Sequence, residues 1–311
     1  MKILVILLAL VSIARAQSAW PASVAAESFD VQPAAPYSAS MAATWQSAHF
    51  LIASESKLPQ GLIRDLAAVF EATRAAVRAA PLGFRTAAEP QRHLVRLCTD
   101  AASYSRAGGS GGSGASYDGT ATVILLPNIG IKPTTQALTT EHTPHLFVLK
   151  HIITLQMLGT KPLPMPPWLQ TGIAETFAAA PYVRGRYTFT GLDSALRDYL
   201  LKWRRSPNAR GLRLIAPSKL MTLTPADWQR QFAALSAYDL YNSSALLTHW
   251  FLRHDGKGDA AGVAAYLDAL RISTSPVEAE QKHLLRGRTG AELDAEVRAL
   301  ARRMALDVQW D

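Results

Sequence analysis

The sequence predicts an α+β protein, with a small N-terminal α/β lobe that holds a β-sheet and a mainly helical C-terminal lobe. Three observations carry this. Strand-like and helix-like runs alternate up to residue 126. From Thr139 onward the apolar spacing is helical almost throughout. The 311 residues are 49% hydrophobic and 18% charged, enough apolar material for a real core, which excludes a disordered, collagen-like or fibrous chain. A single cysteine, Cys98, excludes an intrachain disulfide framework and a Cys-rich zinc module. It lies in the strand-like run His93–Cys98 and is expected to be a buried structural thiol.

Residues 1–16 read as a secretory signal peptide. Lys2 gives a positive start, Ile3–Ala14 is apolar except for Ser12, and Ala14-Arg15-Ala16 has the small-x-small form that is cut after Ala16. The run is too short to span a bilayer, which takes about 20 apolar residues. Cleavage removes Lys2 and Arg15 and lowers the formal charge from +8 to +6. No later segment is long and apolar enough to cross. The mature protein is therefore expected to be exported, periplasmic or secreted, without a membrane span.

Residues 17–43 are rich in Ala, Ser and Pro without a period, and are expected to be a flexible lead-in. The N-terminal lobe is placed at 44–140. His49–Ser54 is a strand. Pro59 opens a helix with Leu62, Leu66, Val69, Phe70, Thr73 and Val77 on one face. Leu94–Leu97 is the next strand, and Ser116-Tyr117 and Ala121–Leu126 follow. Between them, Gly109–Gly114 formally matches G-x-G-x-x-G. A dinucleotide site needs a strand before that loop and a helix after it, and here a strand follows. A surface loop is expected.

The helical lobe is placed at 141–311. Leu146–Leu158 is apolar almost all round, broken only by Lys150, His151, Thr154 and Gln156, which marks a buried helix. A proline-rich loop leads to a helix over Trp168–Ala180. Tyr187–Thr190 suits one arm of a hairpin. Helices follow at Leu192–Trp203, Pro225–Leu235, Asn242–Arg253, Ala260–Leu270 and Gly290–Met304, the last capped by Thr289 with Glu292 three residues on.

The buried helix followed by Pro166-Pro-Trp-Leu-Gln-Thr-Gly-Ile-Ala-Glu-Thr-Phe177 resembles the gluzincin metallopeptidases, the thermolysin-like and aminopeptidase-N-like superfamily often called peptidase MA-like. In that family a buried helix carries H-E-x-x-H and a second helix reads W-L-x-E-G-x-A-E-x-F. Trp168, Leu169, Gly172, Ala174, Glu175 and Phe177 fit the second pattern. The resemblance covers about residues 45–305 and implies a zincin-like fold. Tyr241-Asn-Ser-Ser-Ala245 is similar to the family's Y-x-K-G-A, in which the tyrosine hydroxyl stabilises an oxyanion; Ser243 and Ser244 replace the lysine and glycine.

The departures decide the chemistry. With His151 at the first zinc histidine, Ile152 takes the place of the general-base glutamate and Leu155 that of the second histidine. Thr171 takes the place of the third ligand. Histidines at i and i+4 grip one ion, and the glutamate takes a proton from its water. Aliphatic side chains do neither, so no catalytic residue, metal or cofactor is expected.

Other groups leave alternatives open. His142, His145 and His151 lie close together beside Glu141, and with Glu175 they offer a nonstandard ligand set for a metal-dependent hydrolase. His249 and His254 flank a helix end as surface or capping groups. Arg184, Arg186, Arg197, Lys202, Arg204, Arg205, Arg210 and Arg213 form a basic stretch that is either a solvated helical face or an attraction for an anionic envelope component. The expectation is a pseudo-peptidase that binds extended peptide without cutting it, by strand addition along an edge within Ser116–Leu126. The alternatives are that hydrolase, or a basic envelope-binding module. Nucleic acid is not expected as a partner, because the basic residues lack interleaved aromatics.

Overall fold

The computed structural model describes residues 20–27, 29–84, 92–110, 113–139, 145–159, 163–203, 211–234, 237–272 and 275–311. The signal-peptide expectation for residues 1–16 lies outside them. The architecture is mixed α and β, with the sheet in the N-terminal half and helices dominating the rest.

Strands β1 (Ser23–Ala25) and β2 (Gln32–Pro33) precede β3 (Ala43–Gln46) and β4 (Phe50–Ser54). Helix α1 (Gln60–Ala79) connects β4 to β5 (His93–Cys98). A short helix α2 (Ala101–Arg106), with Asp100 as its N-cap, is followed by β6 (Ala115–Tyr117) and β7 (Ala121–Leu125). The main sheet has six strands in the order β2-β3-β4-β5-β7-β6. Its centre, β4-β5-β7, is parallel, while β2-β3, β3-β4 and β6-β7 are antiparallel. The parallel centre needs a crossover, and α1 supplies it between β4 and β5.

Alternation along the strands sorts the two faces. Val95, Leu97 and Ile124 enter the main core, while Cys98, Val123 and Leu125 join Tyr104 of α2 in a small second cluster. Cys98 is fully buried there, and burial pushes its thiol up to about 11, so it stays an inert packing group. Gly109 lies against the Tyr104 ring, whose hydroxyl reaches Ser113 Oγ at 2.8 Å and Ser116 Oγ at 2.7 Å. The described part of the glycine-rich run thus follows a helix and precedes a strand, the reverse of a phosphate cradle.

The second half begins with α3 (Leu146–Gly159) and α4 (Pro167–Ala179). A hairpin of β8 (Tyr182–Val183) and β9 (Arg186–Thr188) leads to α5 (Leu192–Lys202). Then come β10 (Leu212–Leu214), α6 (Pro217–Met221), α7 (Pro225–Ala234), α8 (Ala237–Arg253) and α9 (Ala261–Arg271). Helix α10 (Pro276–Ala279) runs into a π-turn at Glu280–Leu285. Helix α11 (Gly290–Arg303) has the expected capping box at Thr289 and Glu292, and β11 (Val308–Trp310) pairs in parallel with β10. No described helix is long and apolar enough to cross a membrane.

Helix α3 is the hub. It packs on α1, α4, β6 and β7. Each polar break in its apolar surface has a neighbour. Lys150 Nζ donates to Ala180 O at 2.8 Å, Thr154 Oγ1 to Lys150 O at 2.7 Å, and Gln156 Nε2 to Leu94 O at 3.0 Å. His151 meets Glu175. At the end of α3, a Cβ on Gly159 would run into the Tyr117 ring of β6, so glycine lets the edge strand lie on the helix. Trp168, Leu169 and Phe177 of the tryptophan motif are fully buried core residues. Gly172 has an equally physical reason. Helices α4 and α8 cross so closely that a Cβ there would overlap Thr248 Oγ1 and the Ser244 carbonyl.

The segment expected to be a flexible lead-in departs from that expectation. Strand β1 pairs antiparallel with β9, Val24 opposite Tyr187, and β2 pairs with β3. The Trp20 ring packs on Phe189 at 5.3 Å and Phe177 at 6.4 Å, and Val31 is buried. Strands of two or three residues show no period, and the partner of β1 lies far away in sequence. One apolar cluster runs from Val31 to Leu306, so the two halves share a core.

Candidate functional site

His151, on the face of α3 turned toward α4, is the one histidine of that helix. Its Nδ1 lies 2.8 Å from Glu175 Oε1, with the histidine side chain 17% exposed and the glutamate 4%. The pair is at ion-pair distance but off the line of a good hydrogen bond. The other Glu175 oxygen accepts from the Tyr199 hydroxyl of α5. Burial, and then the Glu175 charge, hold the Tyr199 phenol well above its ordinary range. The Tyr241 ring of α8 stands 5.8 Å from the His151 ring. Its phenol is also pushed up, first by burial and then by Glu175. Both tyrosines therefore keep their protons and remain donors.

The structure thus brings together His151, Glu175 and Tyr241, and adds Tyr199. Ile152 is 4% exposed and packs in the core, and Leu155 is half-buried against it. Thr171, one turn before Glu175, is half-buried. An imidazole, a carboxylate and two protonated phenols can position a polar ligand. Beside His151 on the helix stands Ile152, whose side chain has no lone pair and accepts no proton.

An aromatic wall continues outward from this cluster. Phe147 lies 6.1 Å from Tyr199 and 4.1 Å from Trp203, whose ring stacks on Tyr238 at 6.2 Å. Phe232 meets Tyr241 at 5.8 Å. Phe232 and Tyr238 are 40% and 42% exposed, large apolar rings at the surface end of the wall. Sequence reading missed these rings and Tyr199, because they come from four helices and share no spacing.

Helix α8 starts five residues before the expected Asn242, so Tyr241 sits inside its second turn and not at its start. Asn242 Nδ2 donates to Trp203 O at 3.1 Å, and Ser243 Oγ accepts from Ile215 N at 2.8 Å. Ser244 lies at the Gly172 crossing. Asn242, Ser243 and Ser244 are thus held in hydrogen bonds and close packing.

His142 and Glu141 lie outside the described residues. His145 stands over Gly130. Among the described residues, the side chains of this type spaced to hold an ion are Asp193, His249 and His254, not His145, His151 and Glu175. His249 and His254 are therefore not simple surface or capping groups. His249 is 1% exposed, and its Nε2 lies 2.8 Å from Asp193 Oδ1. His254 Nε2 lies 3.1 Å from the same oxygen. A hydrogen bond from His249 leads the causes that hold the Asp193 carboxyl well below its ordinary range, whereas burial pushes His249 down. Asp193, in the first turn of α5, gives no local sign in sequence of facing the end of α8.

Of the basic stretch, Arg213 pairs with Asp311 at 2.6 Å and Arg197 with Asp198 at 3.3 Å. Arg184, Arg186 and Lys202 are exposed, and Arg204, Arg205 and Arg210 lie outside the described residues. Comparison with known proteins finds no family model that matches the chain and no curated protein that matches it.

Proposed function

We propose that the chain is an exported, zincin-like pseudo-peptidase that binds an extended peptide and does not cleave it. The observation that carries the reading is the cluster at His151. Glu175 and Tyr241 stand around it, while Ile152 and Leu155 bring no donor atoms to that helix. Two further features support it. Strand β6 ends the sheet and lies on the helix that carries His151, so an incoming strand can pair along it. The aromatic wall ending in Phe232 and Tyr238 suits an apolar or aromatic peptide side chain.

The test is calorimetric titration with a library of extended peptides bearing aromatic residues, alongside a cleavage assay. Binding that is insensitive to chelator and weakened by Tyr238→Ser, with peptides recovered intact, supports the reading. Chelator-sensitive cleavage lost in His151→Ala overturns it in favour of a hydrolase. Binding to anionic vesicles or acidic glycans, with none to peptides, overturns it in favour of the basic envelope-binding module. N-terminal sequencing of exported material, starting at Gln17, checks the signal peptide.

A further inference from the structure

The second histidine cluster lies away from the His151 site, and its chemistry is different. Helix α5 offers Asp193 from its first turn. Helix α8 offers His249 from its last turn and His254 just beyond its end. The three donor atoms all lie within 4.8 Å of one another. Both imidazole Nε2 atoms converge on one carboxylate oxygen, at 2.8 and 3.1 Å. Donors around a tetrahedral zinc stand roughly 3.3 Å apart, given bonds near 2 Å, so small side-chain rotations bring all three into range.

We propose that Asp193, His249 and His254 form a binding site for a divalent transition-metal ion, with zinc as the occupant. Two imidazoles and one carboxylate suit zinc and its first-row neighbours. Calcium and magnesium demand a shell of oxygens that this cluster does not supply. Access is graded. His249 is fully buried, His254 is 21% exposed and Asp193 is half-exposed, which leaves a fourth position for water on the solvent side. Each neutral ring then gives its Nε2 lone pair to the metal and carries its proton on Nδ1. Arg253 lies between the two histidines in sequence, and its guanidinium sits 5.5 Å from the centre of the Trp20 ring. It is close enough to interact with Asp193, so its charge opposes the cation. The ion would staple the start of α5 to the end of α8.

The inference does not rest on the peptide-binding reading. Purified full-length mature protein is stripped with chelator, dialysed and titrated with zinc chloride by calorimetry, with cobalt absorption as a second readout. One equivalent is expected, together with tetrahedral cobalt bands and a higher melting temperature. His254→Ala, at a part-exposed position, should weaken binding at least tenfold, and Asp193→Asn should do the same. Arg253→Gln should tighten it severalfold. His151→Ala should leave it unchanged. No zinc binding to the folded protein, or binding that survives His254→Ala, overturns the site. Zinc lost in His151→Ala but kept in Asp193→Asn also overturns it and moves the metal to the helix α3 position.

Discussion

His151 and His249 each lie 2.8 Å from a carboxylate oxygen, yet their surroundings give them different chemistry. At His151 the carboxylate is 4% exposed, the Tyr199 phenol donates to its other oxygen, and Ile152 and Leu155 flank the histidine on its helix. At His249 the carboxylate is half-exposed and a second imidazole shares its oxygen. A histidine beside a carboxylate does not by itself make a metal site. What matters is whether further donors are in reach, and whether water can share the charge of an arriving ion.

Five variants break or sharpen this contrast. The largest effect is expected at Lys150, next to His151. Burial lowers its amine to about 7, with Ala180 O accepting from it and the Tyr187 ring 5.6 Å away. The unfolded chain keeps that proton up to about 10.5, whereas the folded chain gives it up above about 7. Between those values the unfolded state binds more protons, so stability rises with pH. Below about 7 the full penalty remains. Lys150→Met should stabilise by about 4 kcal/mol at pH 7 and remove that slope, read by urea denaturation from pH 6 to 10. An unchanged slope would show that the amine is hydrated and that this side of α3 is wet.

Gly172→Ala comes next. The added methyl forces apart α4, which carries Glu175, and α8, which carries His249. A loss of about 3 kcal/mol is expected, with both histidine clusters disturbed together. Leu155→His should cost about 2 kcal/mol, because a polar ring enters an apolar seat. A neutral result would mean that Leu155 faces open solvent. The smallest pair of effects is the most discriminating. Tyr199→Phe leaves a buried carboxylate oxygen without its donor and should cost about 1.5 kcal/mol. Asp193→Asn, without metal, should stay within about 1 kcal/mol because that carboxylate is half-exposed. Equal losses would erase the contrast in burial.

Much of the fold was legible in the sequence. The amphipathic period around Leu62, Leu66 and Val69 located α1, and the all-round apolar run located α3 and marked it as buried. The Thr289–Glu292 pair marked the start of α11. These features depend on neighbours a few residues apart. Short elements whose partners lie far off were not legible, including β1 against β9, β10 against β11, and α2. At the site, the tryptophan motif singled out Glu175 and the downstream motif singled out Tyr241. Tyr199, Trp203 and Tyr238 carried no such mark.

The sequence alone determined that the buried helix holds one histidine among aliphatic residues, because residue identity fixes which atoms have lone pairs. Only the tertiary structure decided which carboxylate each histidine meets. His249 and His254 find Asp193, and His151 finds Glu175, because the packing of α8 on α5 and of α3 on α4 sets those distances. Crossings depend on packing between segments far apart in the chain, and no local pattern encodes them.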